Sequence, residues 1–168
     1  KLFDENQVRQ AAQKIAESKR VFIFGIGGSS AIFAQELHNR LFRLNVASSP
    51  FQDSYMQRMA AATCDKNDVA LFVSSTGRPR TLLDSAELAS HYGATCIGIA
   101  PQDSLLGLQM QFCLNVELSQ SGALNVQPNP MRFAQLYVID CLSYAVAQYL
   151  GADSTQTFER TRASVASL

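Results

Sequence analysis

Two short apolar runs end in turns built from glycine and hydroxyl residues: VFIFGIGGSS, Val21 to Ser30, and VALFVSSTG, Val69 to Gly77. A stretch with helical spacing follows each turn. Hydroxyls and backbone N–H groups gathered at a strand end, backed by the positive end of a helix dipole, are the chemistry of an anion site. Glycine lets the backbone approach closely, and a serine hydroxyl donates to a phosphate oxygen. Gly27, Gly28, Ser29 and Ser30 form one candidate set; Ser74, Ser75, Thr76 and Gly77 form the other. Taken singly, Ser29 or Ser30 is an ordinary helix cap and the second turn a plain connector. Two such turns at equivalent strand ends point to a pocket for a phosphorylated small molecule. Arg78 directly follows Gly77 and is placed in the pocket, against the alternative of a solvated surface residue; Arg80 flanks the same turn.

Other chemistries fit less well. The run Gly25-Ile26-Gly27-Gly28-Ser29-Ser30 departs from the dinucleotide fingerprint at its third glycine. The acid expected about 20 residues on is missing from Val46 to Ser49 if the second strand lies there. No G-K-[ST] follows, so it is not a P-loop. Four cysteines, Cys64, Cys96, Cys113 and Cys141, lie far apart without C-x-x-C spacing, and the histidines are only His38 and His91. Reduced thiols are expected, and neither a cofactor nor a metal. His38 and His91 read as structural. Asp140, among apolar neighbours, calls for a cap or a cation partner.

The elements that position the turns follow from periodicity. Helices are expected over 4–17, 31–44, 53–63, 81–92, 129–150 and 158–168, and strands over 21–24, 45–47, 69–73, 95–99 and 112–116. Asp53 or Ser54 caps the third helix; Asn129 and Pro130 open the long one. The polar segment 117–128 reads as a loop. Strands separated by helices imply right-handed parallel βαβ units, hence an α/β protein with a five-stranded parallel sheet in a three-layer sandwich. Ligands in such sheets bind beyond the carboxyl ends of the strands, where both turns fall. The long helix is apolar around much of its circumference, so it is either central to the monomer or packed on another subunit.

With 168 residues, 47% of them apolar, and 14 basic against 14 acidic side chains, the chain reads as one domain without net charge. A domain binding nucleic acid by itself usually carries a basic excess. No apolar run reaches the ~20 residues of a membrane span, and the first 20 residues lack the apolar core of a signal peptide. A cytoplasmic location is expected.

The segments VFIFGIGGSS, VALFVSSTG and TLLDSAELASHYGATCIGIA resemble a sugar isomerase (SIS) domain, a flavodoxin-like fold. SYMQRMAAATCDKNDVALFVSSTGR and NPMRFAQLYVIDCL resemble more closely the effector-binding domain of RpiR-type bacterial transcriptional regulators. The resemblance runs from Val21 to Leu150. It implies a phosphosugar held by both turns, with Ser29 (and Ser30 next to it), Ser74 and Thr76 at the positions of the family's ligand serines and threonines. Where the family usually has a threonine, this chain has Pro79, which removes a hydroxyl and an N–H donor; Thr81 or Arg78 is the replacement. Asp53, Pro79, Thr81 and Arg132 complete the set as secondary positions. The whole of 1–168 is expected to be one SIS domain, with helix 4–17 as lead-in and the family's helix-turn-helix domain absent from this chain. The reading is a phosphosugar sensor that acts as a homodimer or higher oligomer and meets DNA only through that other domain. The alternatives are an aldose–ketose isomerase, for which Asp53 and Glu36 are the nearest acids, and a dimerisation module with a vestigial pocket.

Overall fold

The computed structural model describes residues 4–115 and 129–166. In chain order the elements are α1 (Glu5–Glu17), β1 (Arg20–Gly25), α2 (Gly28–Arg43), β2 (Ser48–Phe51), α3 (Ser54–Ala61), β3 (Asp68–Val73), α4 (Arg80–His91), β4 (Thr95–Ile99), a 3-10 turn (Gly107–Gln109), β5 (Phe112–Cys113), α5 (Pro130–Leu150) and α6 (Ala152–Val165). The strands form one parallel sheet in the order β2-β1-β3-β4-β5. The strand order reverses between β1 and β3, so the carboxyl ends of these two strands border the crevice typical of such sheets.

Both faces of the sheet are covered, and the alternation of the strands sorts the core. Val21, Ile23, Val69, Leu71, Val73, Ile97 and Ile99 face α1, α2 and α5. Phe22, Phe24, Ala70, Phe72 and Cys96 face α3 and α4. Burial on both sides explains why the strands read as continuous apolar runs. On the second face Phe24 stacks on Phe72 with ring centroids 4.8 Å apart, and Phe22 and Phe51 extend the stack.

At the amino end of the sheet, opposite the crevice, Arg20 holds the fully buried carboxylate of Asp68 through two hydrogen bonds, Nε to Oδ1 at 3.0 Å and Nη2 to Oδ2 at 2.6 Å. The backbone N–H of Asp65 adds a third. This pair fixes the start of β1 against β3.

The expected second strand is displaced. It occupies Ser48–Phe51 rather than 45–47. The chain leaves α2 through Asn45 in the left-handed region, φ 62°, with the Val46 N–H bonded to the Leu41 carbonyl. That helix-ending motif consumes the residues assigned to the strand. β2 is an edge strand, where Pro50 is tolerated. The last helix starts at Ala152, earlier than 158, because Gly151, φ 69°, turns the chain directly from α5 into α6. α2 starts at Gly28 and takes in part of the first turn. β5 is only Phe112–Cys113; Val116, the 117–128 segment and residues 167–168 lie outside the described residues. Among the described residues, no helix is long and apolar enough to cross a membrane.

Candidate functional site

The first turn is shaped by three glycines. Gly25 ends β1 where a Cβ would sit 2.4 Å from the Ser30 carbonyl oxygen and 2.9 Å from the Ala34 Cβ, so only glycine lets α2 pack against the strand end. Gly27 and Gly28 lie at φ 64° and 45°, and the space beyond both is open. Gly27 offers no side chain to cap α2, so the N–H groups of Gly28, Ser29 and Ser30 remain as donors. Ser29 is half-buried at the mouth; Ser30 is buried one residue further in.

The second turn is tighter. Ser74 is buried, and its Oγ accepts the N–H of Gly77 at 2.9 Å. Its own N–H continues the β3–β4 ladder to the Ile99 carbonyl. Ser74 therefore builds the turn, in addition to the donor role expected from sequence. Ser75 and Thr76 form the outer rim, half-buried and exposed. Gly77, at φ 61°, is pressed against Ser104 so closely that a Cβ would fall 1.9 Å from the Ser104 Oγ. The Leu106 N–H closes this contact on the Gly77 carbonyl at 3.1 Å.

Register brings the turns together. Gly25 and Val73 are paired residues of adjacent parallel strands, whose axes lie ~4.8 Å apart. The capping pattern includes the same place. Side chains of Asp4, Asp53 and Asn129 cap α1, α3 and α5. The two helices that open from the crevice, α2 and α4, begin at Gly27 and Pro79 without any side-chain cap. α6, which starts at Gly151, also lacks one. Helix N-termini leave N–H groups that need partners, and the first turns of α2 and α4 leave theirs without a side-chain acceptor on the carboxyl side of the sheet. Such an arrangement can hold a dianion without a basic side chain in contact.

The secondary positions separate. Asp53 is engaged as the cap of α3, its Oδ1 accepting the Met56 N–H at 2.9 Å. Because β2 ends at Phe51, an acid does stand just past the second strand, but in that capping role. Pro79 is the cap position of α4, and Thr81 lies half-buried in the first turn of that helix. Arg78 is exposed and makes no ion pair among the described residues, while Arg80 pairs with Asp84 at 3.1 Å. Arg132 is exposed near the start of α5, on the carboxyl side of the sheet.

Several groups able to move protons lie or are engaged away from the two turns. Glu36 accepts from Arg40 Nε at 2.8 Å, and the same guanidinium reaches Asp140 at 2.6 Å. That pair supplies the partner expected for Asp140, although the carboxylate itself is half exposed. His38 Nδ1 meets Ser48 Oγ at 2.9 Å. His91 ends α4, at the amino end of the sheet. A shallow cleft of about 290 Å³, lined by Ala31, Ile32, Gln35, Glu36, Asn39 and Gln52, runs along the outer side of α2 rather than between the turns. Among the described residues no cluster of His, Cys, Asp and Glu has metal-site geometry.

Sequence reasoning missed three residues here. Ser104 braces the second turn from a loop with no motif of its own. Asp103 beside it is an exposed carboxylate on the carboxyl side. Gln57 is fully buried beneath the first turn; its signal was a polar residue in register with buried Ala60 and Ala61 on one face of α3.

Known proteins share the family and the fold of this chain. The SIS domain profile matches residues 14–125. The HTH-type transcriptional regulator HexR of Pseudomonas aeruginosa is 30% identical over 165 residues, covering 98% of this chain and 57% of the regulator. The chain thus spans little more than half the length of that relative. The NanR protein of Vibrio vulnificus, solved complexed with ManNAc-6P, superposes with a TM-score of 0.86 at 18% identity, over 98% of this chain and 61% of that one. The sugar isomerase domain of the RpiR transcription factor from Sphaerobacter thermophilus gives 0.82 at 15% identity, over 96% and 88%. Both structures share the fold.

Proposed function

The chain belongs to the SIS domain family, and from that we propose that it is the phosphosugar-binding effector domain of a transcriptional regulator of carbohydrate metabolism. The observation that carries this reading is the pair of uncapped helix N-termini, at Gly27 and Pro79, opening from adjacent strand ends. The phosphate sits between Gly27–Ser30 and Ser74–Arg78 and takes the N–H groups that no side chain caps. Pro79 leaves a site that relies on backbone donors and on Ser29, Ser75 and Thr76. Similarity to the HexR and NanR regulators supports sensing rather than turnover. It also supports a domain that meets DNA only through a separate helix-turn-helix unit of the same protein, working in the cytoplasm.

Occupancy has a physical route outward. The ligand draws the turn at the start of α2 toward the turn that leads into α4. α2 is tied to α5 through Arg40, which bridges Glu36 and Asp140. α5 carries Phe133, Tyr144 and Tyr149 exposed to 71%, 68% and 53%. Such a face fits contact with a second copy of the domain. A shift of α2 would then change how two copies meet.

The test is a thermal-shift screen of hexose 6-phosphates, N-acetylhexosamine 6-phosphates, keto-deoxy sugar acid phosphates and the free sugars. A ligand at a hundredfold excess over its Kd stabilises the fold by about 2.7 kcal/mol. At least one phosphorylated sugar shifts the transition upward, and its unphosphorylated counterpart does not. Equal shifts from both would place the anion elsewhere. The second reading, an aldose–ketose isomerase, requires a base near the sugar, and Asp103 on the loop beside Gly77 is the carboxylate placed to serve. NMR of the hit incubated with the protein decides between them: an isomer forming identifies the enzyme.

A further inference from the structure

Gln57 is wholly buried on α3, between the helix and the ends of β1 and β2. Its Nε2 donates to two carbonyl oxygens, of Phe51 at 2.8 Å and of Gly25 at 3.3 Å. These are the last residues of β2 and β1. The β1–β2 ladder ends at the pair Phe24–Phe51, and the amide takes over one step beyond it. Both contacts are acceptors, so the nitrogen must face them. The consequence is an Oε1 that is buried with no hydrogen-bond partner among the described residues.

A residue serving only to fill this part of the core would not carry that oxygen. Buried polar groups without partners are avoided, and an apolar side chain of the same length would fill the space without one. What a methionine or leucine cannot do is donate twice. The carbonyl of Gly25 belongs to the same rigid trans peptide as the N–H of Ile26. Holding the carbonyl toward Gln57 turns that N–H, the first of the glycine turn, to the opposite side. It also fixes the plane from which Gly27 and Gly28 depart.

We propose that Gln57 is a positioning residue for the anion pocket: it sets the orientation of the Gly25–Ile26 peptide and thereby the aim of the donors at the start of α2. This rests on the phosphosugar reading of the pocket. Gln57 touches no ligand itself. Its role is to remove the freedom of the turn before the anion arrives, so that binding does not spend free energy on ordering it.

The test separates fold stability from affinity. Gln57→Met removes the open acceptor and both donors at nearly constant volume. The probe is the phosphorylated sugar with the largest shift in the screen, with inorganic phosphate as the minimal anion, titrated well below the melting transition. Gln57→Met removes the open acceptor but strands the Gly25 and Phe51 carbonyls, so it is expected to melt near the wild-type temperature while its Kd for both probes rises at least fivefold. A Met variant that binds as tightly as wild type overturns the proposal, as does one whose affinity loss is accompanied by a matching fall in melting temperature. Gln57→Glu gives a second reading. Protonated, it can donate to one carbonyl; ionised, to none. Its affinity relative to wild type therefore falls as pH rises through the carboxyl titration, and a pH profile parallel to wild type overturns the proposal. If neither variant folds, Gln57 is a core determinant and the positioning role is rejected. If wild-type protein binds no phosphorylated probe, the phosphosugar reading fails and this inference with it; wild-type binding with unaffected variants removes the inference alone.

Discussion

The side-chain oxygen of Ser74 accepts the backbone N–H of Gly77 at 2.9 Å, inside the protein. One hydroxyl thus closes the turn that leads from β3 toward α4, and its proton remains available to an anion. Ser29 makes no such bond among the described residues. The two serines look equivalent in sequence, but of the two only Ser74 is built into the closure of its turn.

Ser29→Ala and Ser74→Ala should therefore separate. Ser29→Ala removes a donor to a charged group, worth about 1.5–3 kcal/mol of phosphosugar affinity, and leaves the melting temperature nearly unchanged. Ser74→Ala loses affinity too, and in addition strips the Gly77 N–H of its acceptor, lowering stability by about 1–2 kcal/mol. Urea denaturation alongside ligand titration reads both. Equal stability of the two variants would contradict a structural role for the Ser74 hydroxyl.

Gly77→Ala tests the brace behind the same turn. The backbone sits at φ 61°, and the new Cβ would meet Ser104 Oγ at 1.9 Å and Ser104 Cβ at 2.4 Å. The left-handed conformation costs about 1–2 kcal/mol, and overpacking about 1–3 more. The expected destabilisation is about 2–5 kcal/mol by denaturant melts. Ser104→Gly should recover part of it by clearing the space. A Gly77→Ala protein as stable as wild type would mean the loop 101–109 moves away at little cost.

How far these relationships were legible in the sequence depends on their range. The strands β1, β3 and β4 were readable because both faces of the sheet are buried and their apolar runs are unbroken. The parallel order followed from the helices between them. β2 was misplaced because Asn45 ends α2 in a left-handed residue, a local event that hydrophobic pattern does not report. The glycines of the first turn were readable because backbone freedom is written in the residue type. The double role of Ser74, the contact of Gly77 with Ser104 and the bridge from Gln57 to Phe51 and Gly25 were not. Each joins residues through tertiary packing, and nothing in the local sequence encodes the partner. Asp53 or Ser54 is the cap that the sequence offers for α3, and Asp53 takes the role.

The thiols set an alkaline limit. Burial pushes Cys64 up to about 12 and Cys96 and Cys113 to about 11, against an ordinary value of 9.0. The folded state holds these protons more tightly than the unfolded chain. Their contribution is thus complete below about pH 9 and is lost as pH rises from there through 11 toward 12. Urea midpoints should fall over that window, and a Cys64→Ala, Cys96→Ala variant should show a shallower fall. The same protonation makes both thiols slow to alkylate in native protein at neutral pH. Rapid labelling of Cys96 without denaturant would show that the α4 side of the sheet opens readily.

The long helix carries the last prediction. Phe133, Tyr137 and Tyr144 are spaced four and seven apart, which places them along one stripe of α5. Asp140 stands between them in sequence, and its charge is met by Arg40 at 2.6 Å. A carboxylate neutralised from α2 can lie within an apolar contact more cheaply than a bare one. Two changes, one on this helix and one on α2, should therefore converge on the same readout. Phe133→Glu with Tyr144→Glu puts two unpaired charges into the stripe. If α5 packs on a second copy, light scattering at micromolar concentration shows an oligomer for wild type and a monomer for this variant, with circular dichroism unchanged. Arg40→Ala leaves the stripe intact and frees the charge of Asp140; it should weaken association by a smaller factor, and Arg40→Ala with Asp140→Asn should recover most of it. A wild-type chain that stays monomeric under these conditions would leave the aromatic face of α5 without a second copy to explain it. Recovery absent from the double variant would mean that the Arg40–Asp140 pair acts only within the monomer, and the route from the glycine turn through α2 to the subunit contact would have to run elsewhere.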